Sequence, residues 1–203
     1  MTTIEESRDR PEIMPYPESG LLKAFFRSPI LGWRLGLGRI LGHEFVLITT
    51  WGRRSGKPRR AVTEYHTLRG KIYVPSAYGA KADWYRNLAQ DPHVTVQTWQ
   101  GPESLVAHRV TDDEELRAVY HLFRRTNRPM MDWYLSSLGI DPEDPDDYVA
   151  KKDRVYIVRF DPTGEETPPP LEADLVWVWP VVAGLLLGVW LATRLLRPKD
   201  DAA

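Results

Sequence analysis

The sequence predicts a mainly β domain with flanking helices (α+β), followed by an apolar helix near the C-terminal end. Three observations carry that prediction. Short β-rich runs recur between Phe45 and Phe160, punctuated by turn residues at Ser55-Gly56, Arg69-Gly70 and Gln100-Gly101-Pro102. Helical patterns with recognisable start signals lie between and before those runs. The stretch Leu175–Thr193 carries no charge and is rich in Leu, Val, Trp and Gly.

Taken in order, Met1–Glu18 is charged and proline-punctuated, which predicts a loosely ordered terminus over residues 1–18. Residues 19–42 interleave Leu21, Leu22, Phe25, Phe26, Ile30, Leu31, Trp33, Leu35, Leu37 and Ile40 with spaced cations, and Pro29 divides them into two helical pieces. A basic amphipathic segment of this kind fits a membrane surface. It fits equally a helix docked on the domain with its cations reaching out to water.

Strands are expected at Phe45–Trp51, Arg59–Leu68, Lys71–Pro75, His93–Trp99, Glu103–Val110 and Val155–Phe160. Asp83 suits an N-cap for a short helix Trp84–Gln90, which Asp91-Pro92 ends. Thr111 and Glu114 have capping-box spacing at the start of a helix Asp112–Arg125, whose acidic first turn complements the helix dipole. A further helix covers Pro129–Leu138, and Asp141–Asp147 reads as an exposed loop. These elements define a domain over residues 43–163 and a proline-rich linker over 164–173. A membrane-anchoring segment over 174–197 and a short tail over 198–203 complete the chain.

At 203 residues the chain is long enough for one well-cored domain with appendages. The net charge is −1, but it is unevenly spread: from Ser19 to Val62, Lys23, Arg27, Arg34, Arg39, Arg53, Arg54, Lys57, Arg59 and Arg60 face only Glu44. An anionic partner near the front half follows from that asymmetry. Without cysteine there is no disulfide, thiolate nucleophile or thiolate metal site, which fits a reducing compartment. His43, His66, His93, His108 and His121 lack ligand spacing, so no metal is expected. Neither GxGxxG nor a Walker loop is present, and no nucleic-acid reading motif accompanies the basic stretch.

The densest chemistry lies in Gly52–Arg60, where Arg53, Arg54, Lys57, Arg59 and Arg60 crowd around Gly56 and Pro58. Backbone N–H groups and cations can converge on one anion in such a turn, and a phosphate-bearing cofactor is its natural guest. In a regular strand Arg59 and Arg60 point to opposite faces, so only one of them enters a given site.

The sequence TTWGRRSGKPR, followed by Tyr65, by Trp84-Tyr85-Arg86-Asn87-Leu88 and by the strand Val94–Gln97, resembles the deazaflavin-dependent nitroreductase family. The resemblance spans roughly Phe45 to Phe160. It implies a split β-barrel of the flavin/deazaflavin oxidoreductase type and reduced coenzyme F-420 as hydride donor to quinones or nitro compounds. It further implies that the basic loop holds the cofactor's phosphate and acidic tail, with Pro75–Lys81 and Trp84–Asn87 bordering it. The chain departs from the family where Ala82-Asp83 replaces the usual proline before the WY pair, and where Ser76–Lys81 is short.

The cofactor-binding candidates are Arg53, Arg54, Ser55, Gly56, Lys57, Arg59, Lys81, Trp84 and Asn87. Tyr65, Tyr78 and Ser76 are candidate donors to an oxyanion developing on the acceptor. Trp133, Tyr134 and Met130 are candidate walls for a flat apolar acceptor. FMN in place of the deazaflavin is the alternative cofactor. A non-catalytic, membrane-tethered module binding the cofactor or anionic lipid is the alternative class. Flavin-type split barrels commonly pair, so the resemblance also implies a homodimer.

As a helix, Leu175–Thr193 would span ~28 Å, about the hydrocarbon thickness of a bilayer. With Trp177, Trp179 and Trp190 near its ends and Arg194, Arg197 and Lys199 beyond, it predicts a single-pass C-terminal anchor. The polar start MTTIEESRDRPEIMP is no secretory signal. That, with a cytosolic cofactor, places the enzyme domain on the cytoplasmic side of the cell membrane, against the simple count of flanking cations.

Overall fold

The computed structural model describes residues 29–195. The expectations for residues 1–18, for the first part of the amphipathic segment and for the tail lie outside the described residues.

A sheet built from strands of strict neighbour pairing dominates the chain. Its strands are β1 (Phe45–Trp51), β2 (Pro58–Glu64), β3 (His66–Leu68), β4 (Lys71–Pro75), β5 (His93–Thr98), β6 (Gly101–Arg109) and β7 (Ile157–Pro162). All pair antiparallel in the order β2-β1-β5-β6-β7-β4-β3. The two edge strands, β2 and β3, are consecutive in the chain and joined by Tyr65 alone. Edges linked by one residue must lie close together, so the sheet curls on itself and its closure is at the Tyr65 end. The single strand expected over Arg59–Leu68 is therefore two strands broken at Tyr65.

Two layers of core follow from side-chain alternation. Val46, Ile48, Ile72, Val74, Val94, Val96, Leu105, Val158 and Phe160 fill the barrel interior, with Tyr85 and Leu88 entering from a helix. On the outside, Tyr73, Val110 and Ile157 pack under helices α4 (Asp113–Thr126), α5 (Arg128–Ser137) and α6 (Pro145–Ala150). Asp112, rather than Thr111, caps α4 by accepting from the Glu115 N–H at 2.8 Å. The acidic run expected to be only a loop contains α6, because Asp144 caps it and accepts from the Asp146 N–H at 2.8 Å.

Between β4 and β5 lies α3 (Asp83–Gln90), capped by Ala82 with no side-chain bond. Asp83 is thus the first helical residue and not the cap, and its carboxylate is turned to Arg53 instead. At the front of the sheet, residues 29–34 form a helical segment, α1, and Gly38–Leu41 a short helix, α2. Trp33 is buried there, with Gly38 so close that a Cβ would lie 2.9 Å from its ring.

The proline-rich segment is not a free linker. Thr95 bonds to the Thr167 hydroxyl and the Pro168 carbonyl, and Gln97 brackets the Leu171 backbone with bonds of 3.1 and 2.7 Å. The chain is strapped across the outer face of β5 before it reaches α7 (Val178–Leu195).

Helix α7 corrects the expected membrane span. Among the described residues no helix is long and apolar enough to cross a membrane. Leu175–Trp177 form a turn rather than helix, and Arg194 lies inside the last turn. The uncharged helical part Val178–Thr193 is then about 24 Å long, against roughly 30 Å of hydrocarbon.

Candidate cofactor site

The β1–β2 hairpin ends in the turn Gly52–Lys57, opposite the Tyr65 end of the strands. Its backbone closes tightly: the Gly52 N–H donates to Lys57 O at 2.9 Å, and the Ser55 and Gly56 N–H groups donate to Gly52 O at 3.0 and 2.8 Å. Two glycines make that possible. Gly56 sits at φ +60°, and a Cβ on buried Gly52 would come within 2.8 Å of Ser55 Oγ and 2.9 Å of Arg59 Cγ. Ser55 Oγ accepts from the Lys57 N–H at 3.4 Å and from Arg59 Nη2 at 3.2 Å, which draws Arg59 back over the turn.

The turn is bolted to α3. The Arg53 N–H and Arg53 Nη1 both donate to Asn87 Oδ1, at 3.2 and 3.1 Å, and Arg53 Nη2 donates to Asp83 Oδ1 at 2.9 Å. Asn87 Nδ2 in turn donates to Thr50 Oγ1 at 2.9 Å. Arg53 and Asn87, expected to touch a cofactor, are therefore committed to holding the loop, and Asn87 is buried.

What the brace leaves is a cationic rim. Arg54, Lys57 and Arg59 are exposed, and among the described residues no acid pairs with them through a salt bridge. Asp83, the acid that the described residues bond to this turn, is paired there with Arg53. Uncompensated cations around a tight glycine turn suit a multiply charged anion.

Tyr65, Tyr78 and Trp84 are brought together in another sense, since all three pack partly buried against the barrel-interior cluster. Tyr65 donates its hydroxyl to Gly42 O at 2.8 Å. Its burial, with Glu44 and Glu103 nearby, pushes its pKa up, so the phenol stays protonated at neutral pH. Seven residues of β1 separate it from the basic turn, roughly 20 Å of strand. A single ligand touching both must lie along β2.

Ser76, expected as an acceptor-side donor, is fully buried and donates to Gly79 O at 2.8 Å within its own turn. That turn rests on Tyr156: the Ser76 N–H donates to Tyr156 O at 2.8 Å, and Gly79, at φ +53°, would place a Cβ 3.1 Å from the Tyr156 ring. Lys81 is exposed at the end of the same turn. The acceptor-wall candidates fall elsewhere. Tyr134 is buried in the helical layer, while Met130 and Trp133 are exposed on α5. The hub residue Tyr156 was not among the sequence candidates. It meets Tyr85 edge-on at 5.3 Å and carries Arg109 4.5 Å above its ring, contacts between distant segments that no local pattern announces.

A barrel closed at one end, with a braced cationic turn at the other, is the framework of a split-barrel reductase that takes its redox chemistry from a bound cofactor. A family model described as F420H(2)-dependent quinone reductase matches residues 33–141, and the chain belongs to that family. It is accordingly an oxidoreductase whose cofactor is the deazaflavin coenzyme F-420, and the FMN alternative gives way.

Solved structures similar in fold include one described as an F420-H2 dependent reductase, with 20% identity, TM-score 0.45, 58% of this chain and 94% of that one. Another is a conserved hypothetical protein from Mycobacterium tuberculosis, with 19% identity, TM-score 0.37, 75% of this chain and 84% of that one. A third, described as a domain-swapped dimer, has 20% identity, TM-score 0.45 and covers 66% and 99%. The residues present fit the cofactor's phosphate and acidic tail, because the turn's cations are of the right sign and no acid among the described residues pairs with Arg54, Lys57 or Arg59.

Proposed function

We propose that the chain reduces a quinone-like acceptor at a lipid surface, with Arg54, Lys57 and Arg59 holding the anionic tail of the deazaflavin. The observation that carries the reading is the braced, unneutralised turn: Arg53 and Asn87 fix its position while the neighbouring cations stay available.

When bound, the reduced deazaflavin supplies a hydride, so the protein's task is placement and electrostatics. Arg54 and Lys57 attract and anchor the anion; Arg59, held back by Ser55, offers its remaining guanidinium donors to the same group. Trp84 and Tyr78, half-buried on the barrel cluster, exclude water beside it. A neutral Tyr65 hydroxyl can donate a hydrogen bond to an acceptor oxygen only by leaving Gly42 O. The raised pKa keeps that hydroxyl protonated and able to act as the donor.

Lipid-surface action is supported by α7, whose Val181, Leu185, Leu186, Leu187, Val189, Trp190 and Leu191 are all exposed. An exposed apolar surface of this extent suits contact with a lipid interface, near which isoprenoid quinones are met. We place the enzyme domain on the cytoplasmic side. Deleting Val178–Ala203, which leaves the strap and Asp174 intact, is expected to impair turnover of a long-chain quinone in vesicles and spare a water-soluble one. Equal loss of both would refute the lipid-surface reading.

A further inference from the structure

The basic hairpin has two faces, and only one of them belongs to the cofactor. In the sheet, Thr49 stands directly opposite both Arg60 on β2 and Thr95 on β5. Residues directly opposite in an antiparallel pair point to the same side. Thr95 lies under the strap, bonded to Thr167 and Pro168, and Gln97 on the same side brackets Leu171. Arg60 therefore projects from the outer, strapped face. Arg59 projects from the other face, where its carbonyl and Asn87 share Thr50 Oγ1.

Following the strap leads from Leu171 to the root of α7. There Arg34 clamps Asp174 with Nε to Oδ1 at 2.8 Å and Nη2 to Oδ2 at 2.6 Å. The Leu175 N–H donates to Arg34 O at 2.9 Å, and Trp179 Nε1 donates to Leu35 O at 2.8 Å. Arg34 first, and Arg60 at longer range, hold the Asp174 carboxyl below the usual carboxylate range. Asp174 cancels one of these two cations, and among the described residues the other, Arg60, has no salt-bridge partner. Exposed Trp177, Val176 and Trp179 adjoin it, and the bare apolar helix begins there.

We propose that Arg60 and Arg34, at the root of α7, form a contact site for an anionic phospholipid headgroup, distinct from the cofactor site on the Arg59 face. A cation pair at the base of an apolar helix with tryptophans between them has the layering of a lipid interface: charge, aromatic belt, hydrocarbon. The continuity of the patch with α7 selects a lipid over a soluble phosphate. The proposal rests on the lipid-surface reading above.

The test uses the full chain in flotation assays with vesicles of phosphatidylcholine alone and of phosphatidylcholine with 30% phosphatidylglycerol, alongside deazaflavin titrations. Wild type is expected to favour the anionic vesicles. Arg60→Gln is expected to lower that binding about fivefold, one surface cation being worth about 1 kcal/mol, with cofactor affinity unchanged. Arg59→Gln is expected to do the reverse. If Arg60→Gln weakens cofactor binding and leaves vesicle binding intact, the two-face assignment is overturned. Equal wild-type binding to both vesicle types would overturn the headgroup site alone, whereas no binding to either would overturn the lipid-surface reading with it.

Discussion

The Arg53 backbone N–H and the Arg53 guanidinium meet on one atom, Asn87 Oδ1, at 3.2 and 3.1 Å. Loop and helix are joined there by a single buried amide, which also reaches Thr50. This joint fixes the cationic turn against α3.

Asn87→Ala therefore removes the acceptor of the Arg53 N–H and leaves the buried Thr50 hydroxyl with only its long bond to Arg59 O. A buried polar group left unpaired costs about 1–3 kcal/mol, so a loss of stability in that range is expected in thermal or urea unfolding. Deazaflavin affinity should fall as well, because the loop that carries the cations loses its brace. Weakened affinity at unaltered stability would instead make Asn87 a direct contact.

Arg53 and Arg54 are adjacent and chemically identical, yet their substitutions should separate. Arg53→Gln breaks bonds to Asp83 and Asn87 and is expected to lower Tm measurably. Among the described residues the Arg54 side chain makes no bond, so Arg54→Gln is expected to leave Tm unchanged while weakening cofactor binding. Parallel melting curves and titrations check the pair.

Tyr85 sits in the barrel interior with its hydroxyl buried and unpartnered, and burial pushes its pKa up to about 12. A phenol whose folded pKa lies above its unfolded value near 10 stabilises the fold below pH 10 and loses that contribution as pH rises to 12. Tyr73, Tyr134 and Tyr148 are shifted the same way, mainly by burial. Unfolding is thus expected to set in between pH 10 and 12. Tyr85→Phe should blunt it without destabilising the protein at pH 7, which pH-dependent urea titrations would measure.

Arg69 and Gly70 both have positive φ, +52° and +77°, in the two-residue turn between β3 and β4. Such a turn prefers Asn-Gly. Arg69→Asn should stabilise the protein by roughly 0.5–1 kcal/mol, relieving a left-handed residue with no side-chain role. A shift of Tm downward would contradict this.

Much of the barrel was legible because period-two alternation and turn residues are local. β1 and β4 keep their expected bounds, and the other strands differ by a few residues at their ends. The break at Tyr65 was not legible, since it arises from closure between distant edges. The basic turn could be read as an anion site from its composition. That Arg53 faces Asp83 and Asn87 could not, because the partners lie 30 and 34 residues away. The strap was hidden for the same reason: Gln97 and Leu171 carry no signal of each other. The membrane span was overestimated because an uncharged run need not be helical throughout, and three of its residues form a turn at the root.

The most direct measurement is a titration of the full chain with coenzyme F-420, comparing wild type with Lys57→Glu, whose side chain is exposed on the turn and outside the brace. A lost charge-assisted bond is worth about 1.5–3 kcal/mol, so affinity is expected to fall at least about tenfold with Tm unchanged. Wild-type affinity in a Lys57→Glu protein of unaltered Tm would contradict the assignment of the turn as the cofactor's anion site.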